Sequence, residues 1–317
     1  NFLIDAGKGF AFPAGTRTGL FAKGIRVDIL ILQTLNALFY AAVLFLIASG
    51  LSLIYGVMQI VNVAHGSFYA LGAFVTAWII GQLAASIHPL LLLLAIPVGA
   101  LIVAVFAMVM EPTLLRPFYK RPEEYQLLLT FGVLLVLEDV MRILFGGNPL
   151  AADQPMAPFG SMPVMGLKYP NYNFLVIAVG IAAAIGLWAF VYRTRFGVML
   201  RATSQNMKMA SALGLDVGRV YILAFGIGCF LAALGGAIVV PTQTAVLGMA
   251  LDALIIAFVV VVVGGMGSLK GAFVGALIVS FVRTAGVQFF PEVELAVLYL
   301  IAAGVLLWRP TGLYGKA

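Results

Sequence analysis

Apolar positions run through this chain in long unbroken stretches, with no alternation of polar and apolar residues at period two. Allowing about 20 mostly apolar residues per membrane span, the pattern predicts helices near 28–55, 68–86, 89–110, 126–146, 173–193, 220–244, 251–265, 271–290 and 293–308. A barrel would need short alternating strands and is disfavoured. The first segment is longer than a span requires, so it is expected to tilt or to begin outside the lipid. The segment 251–265 is short and suits a half-membrane or broken helix. The expected architecture is an all-α integral membrane protein, a polytopic bundle of about nine transmembrane helices (eight to ten), some of them broken.

Composition points the same way. Of 317 residues, 63% are hydrophobic and 9% are charged, whereas a soluble domain carries about 25% charged residues. Too few charges are present to cover a water-facing surface, and in hydrocarbon each backbone polar group needs an internal partner. The net charge of +6 does not indicate nucleic acid, because the basic residues sit in short loops between apolar runs. Lys/Arg excess marks the cytoplasmic side. It places 111–125 (Arg116, Lys120, Arg121), 194–219 (Arg195, Arg201, Lys208, Arg219) and the C-terminal Arg309 and Lys316 inside, and 147–172 outside. An odd number of spans then puts the N-terminus outside, against Lys8, Arg17, Lys23 and Arg26. Residues 1–27 read as an N-terminal extension without a signal-peptide core. Residues 28–317 read as one transmembrane domain with a cytoplasmic loop at 194–219.

Catalytic and cofactor motifs are missing. There is no GxxxxGK[ST] loop to cradle ATP phosphates, and no HExxH, CxxC or GxSxG. The histidines, His65 and His88, fall in different segments. The single cysteine, Cys229, lies in an apolar run and reads as a buried hydrophobe. No catalytic site, metal site or cofactor is expected in this chain.

Some local features stand out. In the 194–219 loop, residues 205–213 favour helix, with Met207, Ala210 and Leu213 or Gly214 on one face. Gly214 suits a left-handed C-terminal stop. Such a short helix, with small and apolar residues outward, fits a partner's groove or rests on lipid headgroups; periodicity leaves the two even. Asn62, His65 and Gly66 interrupt two apolar helices. At a cytoplasmic turn they would only cap; within the bilayer their backbone would have to line a cavity. The break at Gly264, Gly265 and Gly267 reads first as a compact turn, and second as a solute contact. Glu138 and Arg142 stand at i,i+4 spacing and are expected to pair as a rim of charge near the outer end. Arg283 lies within an apolar span and must face protein or a water-filled cavity.

The stretch from Arg201 through Gly214 to Arg219 resembles the coupling loop of the permease subunits of branched-chain amino acid ABC transporters (LivH/LivM type). Three further stretches are similar to the same family and in its order: Gly50–Gly56 running into Val61–Ser67, Val263–Ser268 with Gly271 and Ala272, and Arg309–Leu313. The resemblance implies a permease of an ATP-driven importer for branched-chain or related hydrophobic amino acids, with amides or urea as the alternative within the family. An ion-coupled secondary transporter is the rival class, and Glu138 with Asp139 is the close carboxylate pair it would have to use. The resemblance further implies a second, related permease chain, two ATP-binding subunits that hold ATP and Mg, an outer solute-binding protein, and residence in the bacterial inner membrane. It implies ATPase coupling through Arg201, Met207, Ala210, Ser211, Leu213 and Gly214, with Ala210 packed into the ATPase groove, Gly214 making the turn and Arg201 anchoring the loop. It favours a pathway or gate role for Asn62, His65 and Gly66.

Overall fold

A computed structural model describes residues 27–315 except 165, 166 and 290. The expected N-terminal extension, up to its last residue, lies outside the described residues, as do its basic side chains. The chain forms α1 (Val27–Met58), α2 (His65–Leu83), α3 (Ala95–Met110), α4 (Glu123–Phe145), α5 (Tyr172–Arg193), α6 (Arg195–Gln205), α7 (Met207–Ala212), α8 (Val217–Val239), α9 (Met249–Gly264), α10 (Leu269–Phe289) and α11 (Glu294–Trp308). A small antiparallel hairpin, β1 (Ser161–Val164) and β2 (Leu167–Pro170), lies between α4 and α5.

Each apolar run read from the sequence corresponds to a helix. Among the described residues, six helices are long and apolar enough to cross a membrane: Ile29–Met58, His65–Leu83, Leu91–Phe118, Tyr172–Arg193, Val217–Val239 and Leu269–Phe289. Met249–Gly264 and Ala296–Trp308 are apolar but shorter, and α4 carries charge near its outer end. The protein is a polytopic helical membrane protein.

Three boundaries differ from expectation. The third segment continues past 110 through a π turn, Glu111–Leu115, and a 3-10 turn, Arg116–Phe118. Pro112 has no N–H to donate back into the helix, and the widened turn absorbs it. The eighth helix ends at Val239 rather than 244, just before Pro241. The chain after it pairs Ala245 with Leu150 in an antiparallel bridge, joining the two outer connections. The 194–219 loop holds two helices, α6 and α7, because Asn206 takes an extended conformation and caps α7.

The centre of the bundle is α1, α2 and α8; α5 and α3 face outward with apolar side chains such as Ile185, Trp188, Leu101 and Val109. Close approach at the centre depends on small residues. A Cβ on Gly236 would land on the Tyr69 carbonyl, and one on Gly72 on the Ala233 backbone. Gly236→Val is therefore expected to separate α2 from α8 at a cost of about 1–3 kcal/mol or more, read as a lowered thermal unfolding midpoint in detergent. Cys229 is fully buried in this core, as its sequence context suggests.

α1 and α8 run antiparallel. Gly228 packs against Ile54 and Gly235 against Ile47, so α1 ends on the side where α8 begins. His65 Nε2 lies 3.0 Å from the Ile47 carbonyl oxygen. Ile47 precedes the end of α1 at Met58 by eleven residues, about 16 Å along the helix. Residues 59–64 therefore double back beside α1, and α2 starts at mid-depth, inside the protein. Irregular backbone at this depth is tolerated because protein surrounds it. The Asn62 carbonyl accepts from His65 N–H at 3.2 Å and Asn62 Oδ1 accepts from Ala64 N–H at 3.1 Å.

Candidate coupling and translocation sites

At the inner end, α7 is a one-and-a-half-turn helix with both ends built. Asn206 Oδ1 accepts from Met209 N–H at 2.9 Å. At the other end Leu215 N–H reaches the Ala210 carbonyl at 3.1 Å and Gly214 N–H reaches Ser211 at 3.0 Å, a Schellman stop with Gly214 at φ +85°. The left-handed stop expected at Gly214 is present. The outward face differs from expectation. Ala210 is 2% exposed, turned against its own chain, while Met207, Met209 and Leu213 are exposed and Ser211 is exposed beside them. With Ala210 turned inward, Met209, Leu213 and the exposed part of Met207 form the apolar outer face. Arg201 stacks over Tyr192, 5.2 Å from ring centroid to guanidinium carbon, and its Nε donates to the Gly197 carbonyl at 3.3 Å, which ties α6 to the end of α5.

Beneath α7 lies a polar cluster that sequence reading passed over. Glu111 is fully buried. Its carboxylate accepts from Arg116 at 2.7 Å and 3.3 Å and from Tyr119 Oη at 2.8 Å. Arg116 also donates to the Gly218 carbonyl at 3.0 Å. Tyr119 packs edge-on against Tyr221, whose hydroxyl donates to Met207 Sδ at 2.9 Å. Burial, reinforced by the Glu111 carboxylate, raises the Tyr119 phenol well above its ordinary range, so it remains a donor. The cluster is a continuous link from the end of α3 through the start of α8 to α7. The sequence signal was Glu111 itself, an acid directly abutting an apolar run, with Arg116 five residues on.

The glycine break at Gly264, Gly265 and Gly267 is the compact turn between α9 and α10. Gly265 and Gly267 take φ of +107° and +75°. Ser52 Oγ donates to the Ser268 carbonyl at 3.3 Å, Gly56 abuts Gly267 and Gly312 abuts Gly265. Leu313 N–H reaches the Val263 carbonyl at 3.0 Å and Tyr314 N–H that of Gly264 at 2.8 Å. Stretches singled out separately in the sequence, Gly50–Gly56, Val263–Ser268 and Arg309–Leu313, thus meet at one inner junction.

Asn62 and His65 are fully buried, and a Cβ on Gly66 would strike the Ala250 carbonyl at the start of α9. Asn62 Nδ2 and His65 Nδ1 find no hydrogen-bond partner among the described residues.

Near the outer end, the Glu138–Arg142 pair expected from spacing does not form. Arg142 pairs with Asp139 at 3.3 Å, and both are exposed. Glu138 instead accepts from Gly248 N–H at 2.5 Å, at the N-terminus of α9, where a carboxylate complements the helix dipole. A cavity of about 420 Å³ opens at this end between α1, α5 and α10, lined among others by Gln33, Asn36, Tyr40, Gln243, Arg283 and Thr284. Arg283 stacks on Tyr40 at 5.2 Å; as its position in an apolar span required, it faces a cavity. None of Asn62, His65, Gly66, Gly264, Gly265 or Gly267 lines it.

Residues 33–306 match the family model for the branched-chain amino acid transport system permease component. The chain belongs to that family. The permease is 28% identical over 293 residues to the high-affinity branched-chain amino acid transport system permease protein BraD of Pseudomonas aeruginosa, covering 90% of this chain and 95% of that protein. It is 28% identical to LivH of Escherichia coli over the same shares of the two chains. It is 26% identical to a probable LivH of Methanocaldococcus jannaschii, covering 77% of each. These relatives are transport permeases. In the permease described here, the residues expected to couple to an ATPase are gathered at the inner end, while the glycine and Asn62–Gly66 positions form internal junctions.

Proposed function

We propose that this chain is the membrane-spanning permease of an ATP-binding-cassette importer for branched-chain or related hydrophobic amino acids. It works in the bacterial cytoplasmic membrane beside a second, related permease, with ATP-binding subunits below and a solute-binding protein above. ATP and Mg belong to those subunits, and this chain contributes no catalytic group. The observation that carries the reading is α7: a helix capped at both ends with Met207, Met209 and Leu213 exposed, linked by Tyr221 and Arg116 to the buried Glu111. Such a helix can receive a push and pass it to α3 and α8. The irregular segment before α2 is read as the gate. It leads into His65, whose ring meets α1 at Ile47, about 10 Å deeper than Tyr40 at the outer cavity.

The test is affinity purification of the tagged chain from its native membranes. ATP-binding subunits are expected to copurify, and the reconstituted complex is expected to hydrolyse ATP faster when the binding protein carries L-leucine. Uptake by the chain alone, driven by an ion gradient, would establish the secondary-transporter class instead. Stimulation by amides or urea, and not by L-leucine, would move the solute to the other branch of the family.

A further inference from the structure

We infer that the outer cavity between α1, α5 and α10 is a binding site in the permease itself for a zwitterionic α-amino acid with an apolar side chain. The inference deepens the importer reading and rests on it for the direction of transport. Its basis is the convergence of polar side chains on helices that are otherwise apolar. Lipid does not accommodate carboxamides or a guanidinium at span depth, so such groups face protein or water. On α1, Gln33 and Asn36 are three residues apart and share a face. On α10, Arg283 and Thr284 lie a turn and a half before the outer end of the helix. Although some 250 residues separate these pairs in sequence, both line the same cavity. Gln33 and Gln288 are hydrogen-bonded through their side chains across the two helices.

The lining matches a zwitterion part by part. The Arg283 guanidinium, which stacks on the Tyr40 ring among its contacts, has a forked set of donors that suits a carboxylate. The side-chain oxygens of Asn36 and Gln243 suit an ammonium, while Gln33 Oε1 accepts from Asn36 Nδ2 at 3.4 Å and holds that carboxamide in place. Phe39 and Val287 supply an apolar wall on the same cavity. Thr284 is 7% exposed, and its hydroxyl has no hydrogen-bond partner among the described residues. The volume, about 420 Å³, is within the roughly 300–1,000 Å³ of small-molecule sites.

The experiment is equilibrium binding of radiolabelled L-leucine to the purified transporter complex with the outer binding protein left out. Two competitors test the two charges: L-leucinamide, without the carboxylate, and 4-methylpentanoate, without the ammonium. The wild type is expected to prefer L-leucine to both. Arg283→Gln is expected to weaken L-leucine binding roughly ten- to hundredfold, the value of hydrogen bonds to a charged group, and to abolish the preference over L-leucinamide. Asn36→Ala and Thr284→Val, which leave the guanidinium and its Tyr40 contact in place, are expected to weaken binding roughly two- to tenfold. They carry the test if Arg283→Gln does not assemble. The proposal is overturned if the wild-type complex binds no L-leucine, or if the variants that assemble bind it as the wild type does. Failure of the importer reading appears elsewhere, as the absence of ATP-binding subunits from the purified chain, and binding to the chain can still be measured then.

Discussion

Gly214→Val is expected to leave the permease inserted and assembled but to break the connection between ATP hydrolysis and uptake. Gly214 sits at φ +85° and closes the Schellman stop of α7. No heavy atom lies within 4 Å of where its Cβ would be, so the effect is one of backbone conformation and not of crowding. A left-handed conformation costs an L-residue about 1–2 kcal/mol, which shifts the population of this turn by roughly five- to thirtyfold. A β-branched side chain lies at the unfavourable end of that range. Gly214→Asn is the matched control, because asparagine tolerates this region. In proteoliposomes, the valine variant should hydrolyse ATP with little solute uptake, and the asparagine variant should transport close to normally. Equal uptake per ATP in wild type and valine variant would remove α7 as the coupling element.

Glu111→Ala should have the largest effect on stability of any polar substitution at the inner end. The carboxylate is fully buried and takes two donations from Arg116 and one from Tyr119. Hydrogen bonds to a charged group contribute about 1.5–3 kcal/mol each. Because the Arg116 side chain is 38% exposed, water rescues part of that loss, leaving an expected destabilisation of about 2–3 kcal/mol. Glu111→Gln keeps the shape and one acceptor oxygen, so it should fall between alanine and wild type. A role beyond stability predicts more. At a temperature where Glu111→Gln remains folded, solute uptake per ATP should drop, because Arg116 no longer fixes Gly218 at the start of α8 and Tyr119 no longer holds Tyr221 against Met207 of α7. A variant that is less stable but fully coupled would reduce Glu111 to a structural anchor.

Much of this molecule was legible in one dimension. Long apolar runs with few charges required helices in lipid, since a spanning chain must satisfy its own backbone hydrogen bonds. The stop at Gly214 was readable because left-handed backbone selects glycine locally. Arg283 had to face protein or water because an arginine within a span cannot face hydrocarbon. These are properties of a residue and its immediate neighbours, and hydropathy or backbone preference reports them directly.

Partnerships between distant segments were decided only by tertiary structure. Spacing on α4 favoured Glu138 with Arg142, but the start of α9 offered an unpaired N–H, and Glu138 turned to Gly248. Periodicity put Ala210 outward, whereas the fold turned Ala210 inward and left Met207 and Met209 exposed. Glu111 looked like the start of a loop until the π turn carried it inward beside Arg116 and Tyr119. The outer cavity joins α1 to α10, and the inner junction joins Gly56 of α1, the α9–α10 turn and the C-terminal segment. The sequence alone established a helical membrane body and the glycine turn that ends α7. Which helices touch, and hence which polar groups share a cavity, depended on close packing between backbones that no local pattern encodes.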